Sequence, residues 1–144
     1  MANWNEKFLA MAQLVAGWSK DPSTKVGCII ADDDHNQVSE GFNGFPRGIA
    51  DDERLLLRDV KLKLIVHAEA NAVAAAARNG HPLKECTAYI THPPCSQCAS
   101  LLIQAGVVRV VYVKGVLPSK WESDWELARQ LFREAGIAFE EAHP

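Results

Sequence analysis

The run Thr87-Ala88-Tyr89-Ile90, Thr91-His92-Pro93-Pro94, Cys95-Ser96-Gln97-Cys98-Ala99-Ser100-Leu101-Leu102-Ile103-Gln104-Ala105, then Val107-Val108-Arg109-Val110-Val111-Tyr112-Val113, reads as strand, stop, helix and strand. Residues 87–90 make a short strand, and Pro93-Pro94 end it because proline has no amide proton and fits the first helical turn. The helix is expected from about Cys95 to Ala105, opening with Cys95 and Cys98. The last run is β-branched enough to be a buried strand.

Downstream, Trp121 to Ala135 has helical periodicity, Gly136 ends it, and Ile137-Ala138-Phe139 reads as a last short strand. Upstream, the alanine-rich stretch from about Leu64 to Arg78 favours helix, and Asn79-Gly80 closes it as a C-terminal cap. Its first turn would contain His67 and Glu69. Asn43-Gly44-Phe45-Pro46-Arg47-Gly48 breaks regular structure and predicts a shaped loop. Before it, Val26–Ile30 and Val38–Phe42 flank the polar turn Asp32-Asp33-Asp34-His35-Asn36, which predicts an antiparallel hairpin. A first helix is expected over Trp4 to Trp18, with Asp21-Pro22 as its stop. A hairpin followed by alternating helices and strands implies an α/β fold of three α/β/α layers. Its mixed sheet has five strands, with a parallel pair joined through the last helix.

With 144 residues the chain suits a single domain, residues 1–144, which would bury roughly 68–70% of its unfolded surface. Its 48% hydrophobic and 23% charged residues exclude a disordered, collagen-like or disulfide-scaffold chain. Fifteen basic against eighteen acidic residues give a net charge of −3, without a Lys/Arg run, which disfavours a nucleic acid polymer as partner. Met1-Ala2-Asn3-Trp4-Asn5-Glu6-Lys7 lacks a basic region followed by an apolar one, and nothing approaches the ~18 apolar residues of a membrane span. A cytoplasmic protein without a membrane partner is the expectation. Cys28, Cys86, Cys95 and Cys98 could pair three ways in a secreted chain, but in a reducing compartment closely spaced cysteines are metal ligands or catalysts.

His67-Ala68-Glu69 and Pro94-Cys95-Ser96-Gln97-Cys98 carry the chemistry. Cys-x-x-Cys at a helix start puts two sulfurs on one face, and His67 from another helix start supplies a third donor. Two thiolates and one imidazole suit zinc, Zn2+, and leave a fourth position for water. Glu69, two residues beyond His67, stands roughly 200° around an ideal helix and is poorly placed as a ligand. Its carboxylate suits a proton acceptor for that water instead. The competing reading is a closed structural zinc with His92 as fourth ligand. Otherwise His92 lines the pocket or caps the strand end.

His-x-Glu with Pro-Cys-x-x-Cys is the signature of zinc nucleobase deaminases. Over about residues 4 to 140 the chain resembles the deoxycytidylate (dCMP) deaminase family, in the zinc-dependent cytidine deaminase superfamily. Two loops add to the likeness: Ser19-Lys20-Asp21-Pro22-Ser23-Thr24-Lys25-Val26-Gly27 and Gly41-Phe42-Asn43-Gly44-Phe45-Pro46-Arg47-Gly48. The resemblance implies a cytidine deaminase-like fold, one zinc on His67, Cys95 and Cys98, and conversion of dCMP to dUMP with release of ammonia. It makes Glu69 the catalytic proton shuttle, Asn43 the grip on the pyrimidine, and Ser19, Lys20 and Thr24 the contacts to the 5′-phosphate. It also implies a small-molecule nucleotide substrate and a homo-oligomer, a hexamer or dimer.

Alternative readings are a deaminase of another nucleoside, a free base or a tRNA adenosine, and a non-catalytic zinc-stabilised module. The chain departs from many family members at Trp18, where they have arginine, and over Pro118–Trp125, where they have Tyr-His-Asp. No cysteine-rich insertion offers a second zinc site. Cys28 and Cys86 read as small core residues, Trp121 and Trp125 as a packing pair or subunit contact, and His35, His81 and His143 as solvated.

Overall fold

The computed structural model describes residues 3–115 and 118–142. The termini, including His143, lie outside the described residues. In chain order the elements are α1 (Trp4–Ala16), β1 (Gly27–Ala31), β2 (Gln37–Phe42), α2 (Arg58–Leu64), α3 (Ala68–Asn79), β3 (Thr87–Ile90), α4 (Ser96–Ala105), β4 (Arg109–Val113), α5 (Ser119–Ala135) and β5 (Ala138–Ala142). A 3-10 turn, Glu53–Leu56, precedes α2. The five strands form one sheet in the order β2-β1-β3-β4-β5. β1 is antiparallel to β2 and to β3, whereas β3, β4 and β5 run parallel. The expected five-stranded mixed sheet is therefore present, with β4 and β5 joined through α5.

Side chains alternate across a strand, so β1 serves two cores at once. Ile29 and Ala31 join Tyr89 and Val111 under Phe8, Ala12 and Val15 of α1. Cys28 and Ile30 point the other way, with Ala88, Ile90, Val110 and Tyr112, toward α3, α4 and α5. Two glycines let helices reach the sheet. A Cβ at Gly27 would stand 1.9 Å from the Ala12 carbonyl oxygen of α1. At Gly41 it would stand 2.3 Å from the Ala68 carbonyl oxygen and 2.5 Å from the Ala72 amide nitrogen, so α3 lies directly on β2.

The helix expected from about Leu64 starts only at Ala68, and a separate short helix, α2, precedes it. α2 stops at Leu64, Ile65 is extended, and Val66 exchanges backbone hydrogen bonds of 2.8 and 3.1 Å with Gly44. β-Branched Ile65 and Val66 lose side-chain freedom in a helix, and Val66 pairs with the loop at Gly44 instead. His67 is therefore the N-cap of α3, outside the helix, with φ −68° and ψ 156°. α1 also ends earlier than expected, at Ala16, leaving Trp18 in the following turn. Cys28 and Cys86 are buried as core residues, 0% and 2% exposed. No helix of the described residues is long and apolar enough to cross a membrane.

Candidate functional site

Two helix starts converge on the carboxyl end of β3, the middle strand. Cys95 is the N-cap of α4, with its Sγ accepting from the Cys98 amide at 3.4 Å. His67 caps α3 without a side-chain bond to that helix, which leaves its ring to face the thiols. His67 Nδ1 lies 3.5 Å from Cys95 Sγ and 3.4 Å from Cys98 Sγ. The three donor atoms all fall within 4.8 Å of one another. A tetrahedral zinc with bonds of about 2.1 Å to nitrogen and 2.3 Å to sulfur spaces such donors by roughly 3.6 Å. The N···S separations and the two-sulfur, one-imidazole donor set both fit that ion. Among the described residues no fourth His, Cys, Asp or Glu joins the group. His92 lines the adjoining cavity, its Nδ1 3.1 Å from the Pro93 carbonyl oxygen, and is not a fourth donor.

Electrostatics distinguishes the two thiols. Hydrogen bonding from Cys98, with His67 beside it, holds the Cys95 thiol well below the ordinary cysteine range. Its contact with Cys95 and its own burial push Cys98 up in turn. The hydrogen bond to Cys95 likewise raises His67. One acid of the set gives up its proton readily, and the exposed positive ends of two helices favour the resulting anion.

Glu69 occupies the first turn of α3 and is 4% exposed. Burial raises its carboxyl to about 7. Because His67 sits before the helix in extended backbone, the helical angle of roughly 200° does not apply to this pair. Both line one cavity of about 310 Å³, within the size range of small-molecule sites. Its walls are the Asp21–Val26 segment with Asn43, then α2 through Arg58, Lys61 and Leu62 with Ile65 just after it, then α5 through Lys120, Trp121, Asp124 and Trp125.

Of the residues expected at the substrate, Thr24, Asn43 and His92 line this cavity, and Ser19 and Lys20 do not. Ser19 is 2% exposed, and its hydroxyl donates to the Asn43 carbonyl (2.8 Å) and accepts from the Asp21 amide (3.2 Å). Lys20 is exposed in a separate recess with Trp18 and Lys25. The Ser19 hydroxyl is thus turned into the protein, and the Lys20 recess meets the cavity at Asp21, which lines both. Asn43 is committed to its own chain. Its Oδ1 accepts from the Val26 amide (2.8 Å), and its Nδ2 donates to the Thr24 carbonyl (2.8 Å) and Asp21 (3.4 Å). Sequence reasoning missed Arg58, Lys61 and Lys120. The only signal was the basic character of residues 58–63, a stretch without strong apolar periodicity.

Trp125 packs edge-on against Tyr112 at 4.8 Å, so it belongs to the core as well as to the cavity. Asp124 accepts from the Ser96 amide (2.9 Å) and hydroxyl (2.6 Å), tying α5 to the first residue of α4.

The model of a family described as the cytidine and deoxycytidylate deaminase zinc-binding region matches residues 2–114. A deaminase of Aliivibrio fischeri, named for its place in the luxG 3′ region, is 38% identical over 140 residues, 95% of this chain and 92% of its own. The deoxycytidylate deaminase of Mus musculus is 37% identical over 147 residues, covering 98% of this chain and 80% of its own. Among solved structures, the dCMP deaminase of cyanophage S-TIM5 in complex with dCMP and dUMP superposes with a TM-score of 0.79. It is 24% identical and the match covers 95% of both chains, a likeness of fold.

Proposed function

The chain belongs to the cytidine and deoxycytidylate deaminase family, and from there we propose that residues 1–144 form one domain converting dCMP and water to dUMP and ammonia with one zinc per chain. His67, Cys95 and Cys98 would hold the zinc, which supplies a Lewis acid that makes water nucleophilic near neutral pH. Glu69 takes a proton from the attacking water and delivers it to ring N3. It then helps the C4 amino group leave as ammonia, so that C4 exchanges nitrogen for oxygen. Because the carboxyl is 4% exposed, the proton it carries is not lost to bulk solvent between these steps.

Leu62, Ile65 and Trp121 give the cavity apolar walls for the ring. The 5′-phosphate meets Thr24 with Arg58 and Lys120, cations that make no ion pair among the described residues. Asn43 acts by shaping the wall, and His92 closes the side of the pocket next to Cys95. What carries this reading is a buried carboxyl opening on the same cavity as a three-donor His/Cys/Cys set.

The proposal extends to a cytoplasmic homo-oligomer, a dimer or a hexamer. Exposed Leu56 (74%), Leu57 (52%) and Leu62 (49%) support self-association, which light scattering on the purified chain would measure. The functional test is ammonia release from dCMP, deoxycytidine, cytosine and guanine. dCMP should be turned over fastest. Faster turnover of an unphosphorylated compound overturns the substrate, and no ammonia from any of them overturns the enzyme.

A further inference from the structure

We infer that Lys61 is a positioning residue: its buried ion pair with Asp21 fixes the Asp21–Val26 wall against which the nucleotide sits. The inference rests on the dCMP deaminase reading above. Lys61 is 6% exposed and Asp21 5%, and Lys61 Nζ lies 3.1 Å from Asp21 Oδ1. The same ammonium lies 3.3 Å from Ser23 Oγ. Asp21 Oδ1 also accepts from the amides of Ser23 (2.7 Å) and Thr24 (3.1 Å), and Oδ2 from Asn43 Nδ2 (3.4 Å). Asn43 in turn holds Thr24 and Val26.

Asp21, Ser23, Thr24 and Val26 all line the cavity, yet they belong to neither helix nor strand. The Asp21 carboxylate and Asn43 together hold them, and Lys61 is the one cation paired with that carboxylate. Burial works against the ionised form, but the two amides and Lys61 hold Asp21 below the ordinary carboxylate range. Take Lys61 away, and a buried charge is left without its partner. The segment that can relieve this by moving is the loop itself. His67 and Glu69 stand at the start of α3, and Cys95 and Cys98 at the start of α4, and none of them bonds to either member of the ion pair. Substrate binding should therefore suffer and the reacting groups should not.

The test is Lys61→Met, which keeps the apolar stem and removes the ammonium, made in the full chain and loaded with zinc. KM for dCMP should rise by roughly tenfold or more with kcat within about threefold, the signature of lost binding. Zinc should stay at one per chain. Hydrogen exchange at the Ser23 and Thr24 amides should quicken while α3 and α4 keep their protection. The double variant Asp21→Asn/Lys61→Met, which buries no unpaired charge, should slow that exchange again. Its KM should lie between wild type and Lys61→Met, because Ser23 Oγ still lacks its partner. Unchanged KM and exchange in Lys61→Met would overturn the inference, as would parallel losses of kcat and zinc. If Lys61→Met does not fold, a wild-type KM in the double variant overturns it. A wild type that releases no ammonia from dCMP refutes the substrate reading instead.

Discussion

Glu69 and His67 are two residues apart and stand in different surroundings because one is inside a helix and the other before it. The N-cap geometry of His67 turns its ring to the thiols, while Glu69, in the first turn of the helix, is buried beside the cavity. In the proposed mechanism, replacing the Glu69 carboxylate would remove proton transfer and leave the donors. Glu69→Gln should keep one zinc per chain and lose roughly 10²–10⁴-fold in kcat, measured by ammonia release beside metal analysis.

Asp21 makes a different prediction, in stability. Its folded carboxyl is depressed below the ordinary value of 3.8. The stability it contributes is therefore complete above 3.8 and is lost as pH falls through the lower folded value. Urea unfolding of wild type and Asp21→Asn should show a gap at neutral pH that narrows in acid below 3.8. A gap independent of pH would contradict this.

Among the elements, the contact of α3 with β2 carries the site. Gly41 has no Cβ, so the first turn of α3 comes within 2.3 Å of where one would stand. Gly41→Ala must push back the backbone that bears Glu69. It should cost at least the roughly 1–3 kcal/mol of an overpacked core, read by chemical denaturation, and lower kcat as well. At α4, Asp124 reaches across from α5 to the Ser96 amide. Asp124→Ala should cost about 1–2 kcal/mol in the same assay, as loss of a helix-start acceptor does.

The strands and α4 were legible because their periods and stops are local: Pro93-Pro94 before Cys95, and a β-branched run after Gly106. The break at Ile65-Val66 was not. Alanines beyond it favour helix, and what overrides them is pairing with Gly44, twenty-two residues earlier.

Over the whole molecule, the metal donors could be read because a Cys-x-x-Cys and a His-x-Glu each begin a helix, and α3 leads into β3 while α4 follows it, which puts both helix starts at the carboxyl end of that strand. The substrate walls could not be read in the same way. Lys20 is expected at the phosphate from the likeness of the 19–27 segment to the family, and in the structure it lines a neighbouring recess. The lysine that meets this loop comes from α2, forty positions later. Nothing local marks such a pair, since neither residue belongs to a periodic pattern that requires the other.

X-ray absorption at the zinc edge of the purified chain tests the metal centre most directly. Two sulfur donors, one imidazole and one oxygen from solvent are the predicted shell. A second imidazole completing four protein donors, or a protein purified under metal-replete conditions without stoichiometric zinc, would contradict it.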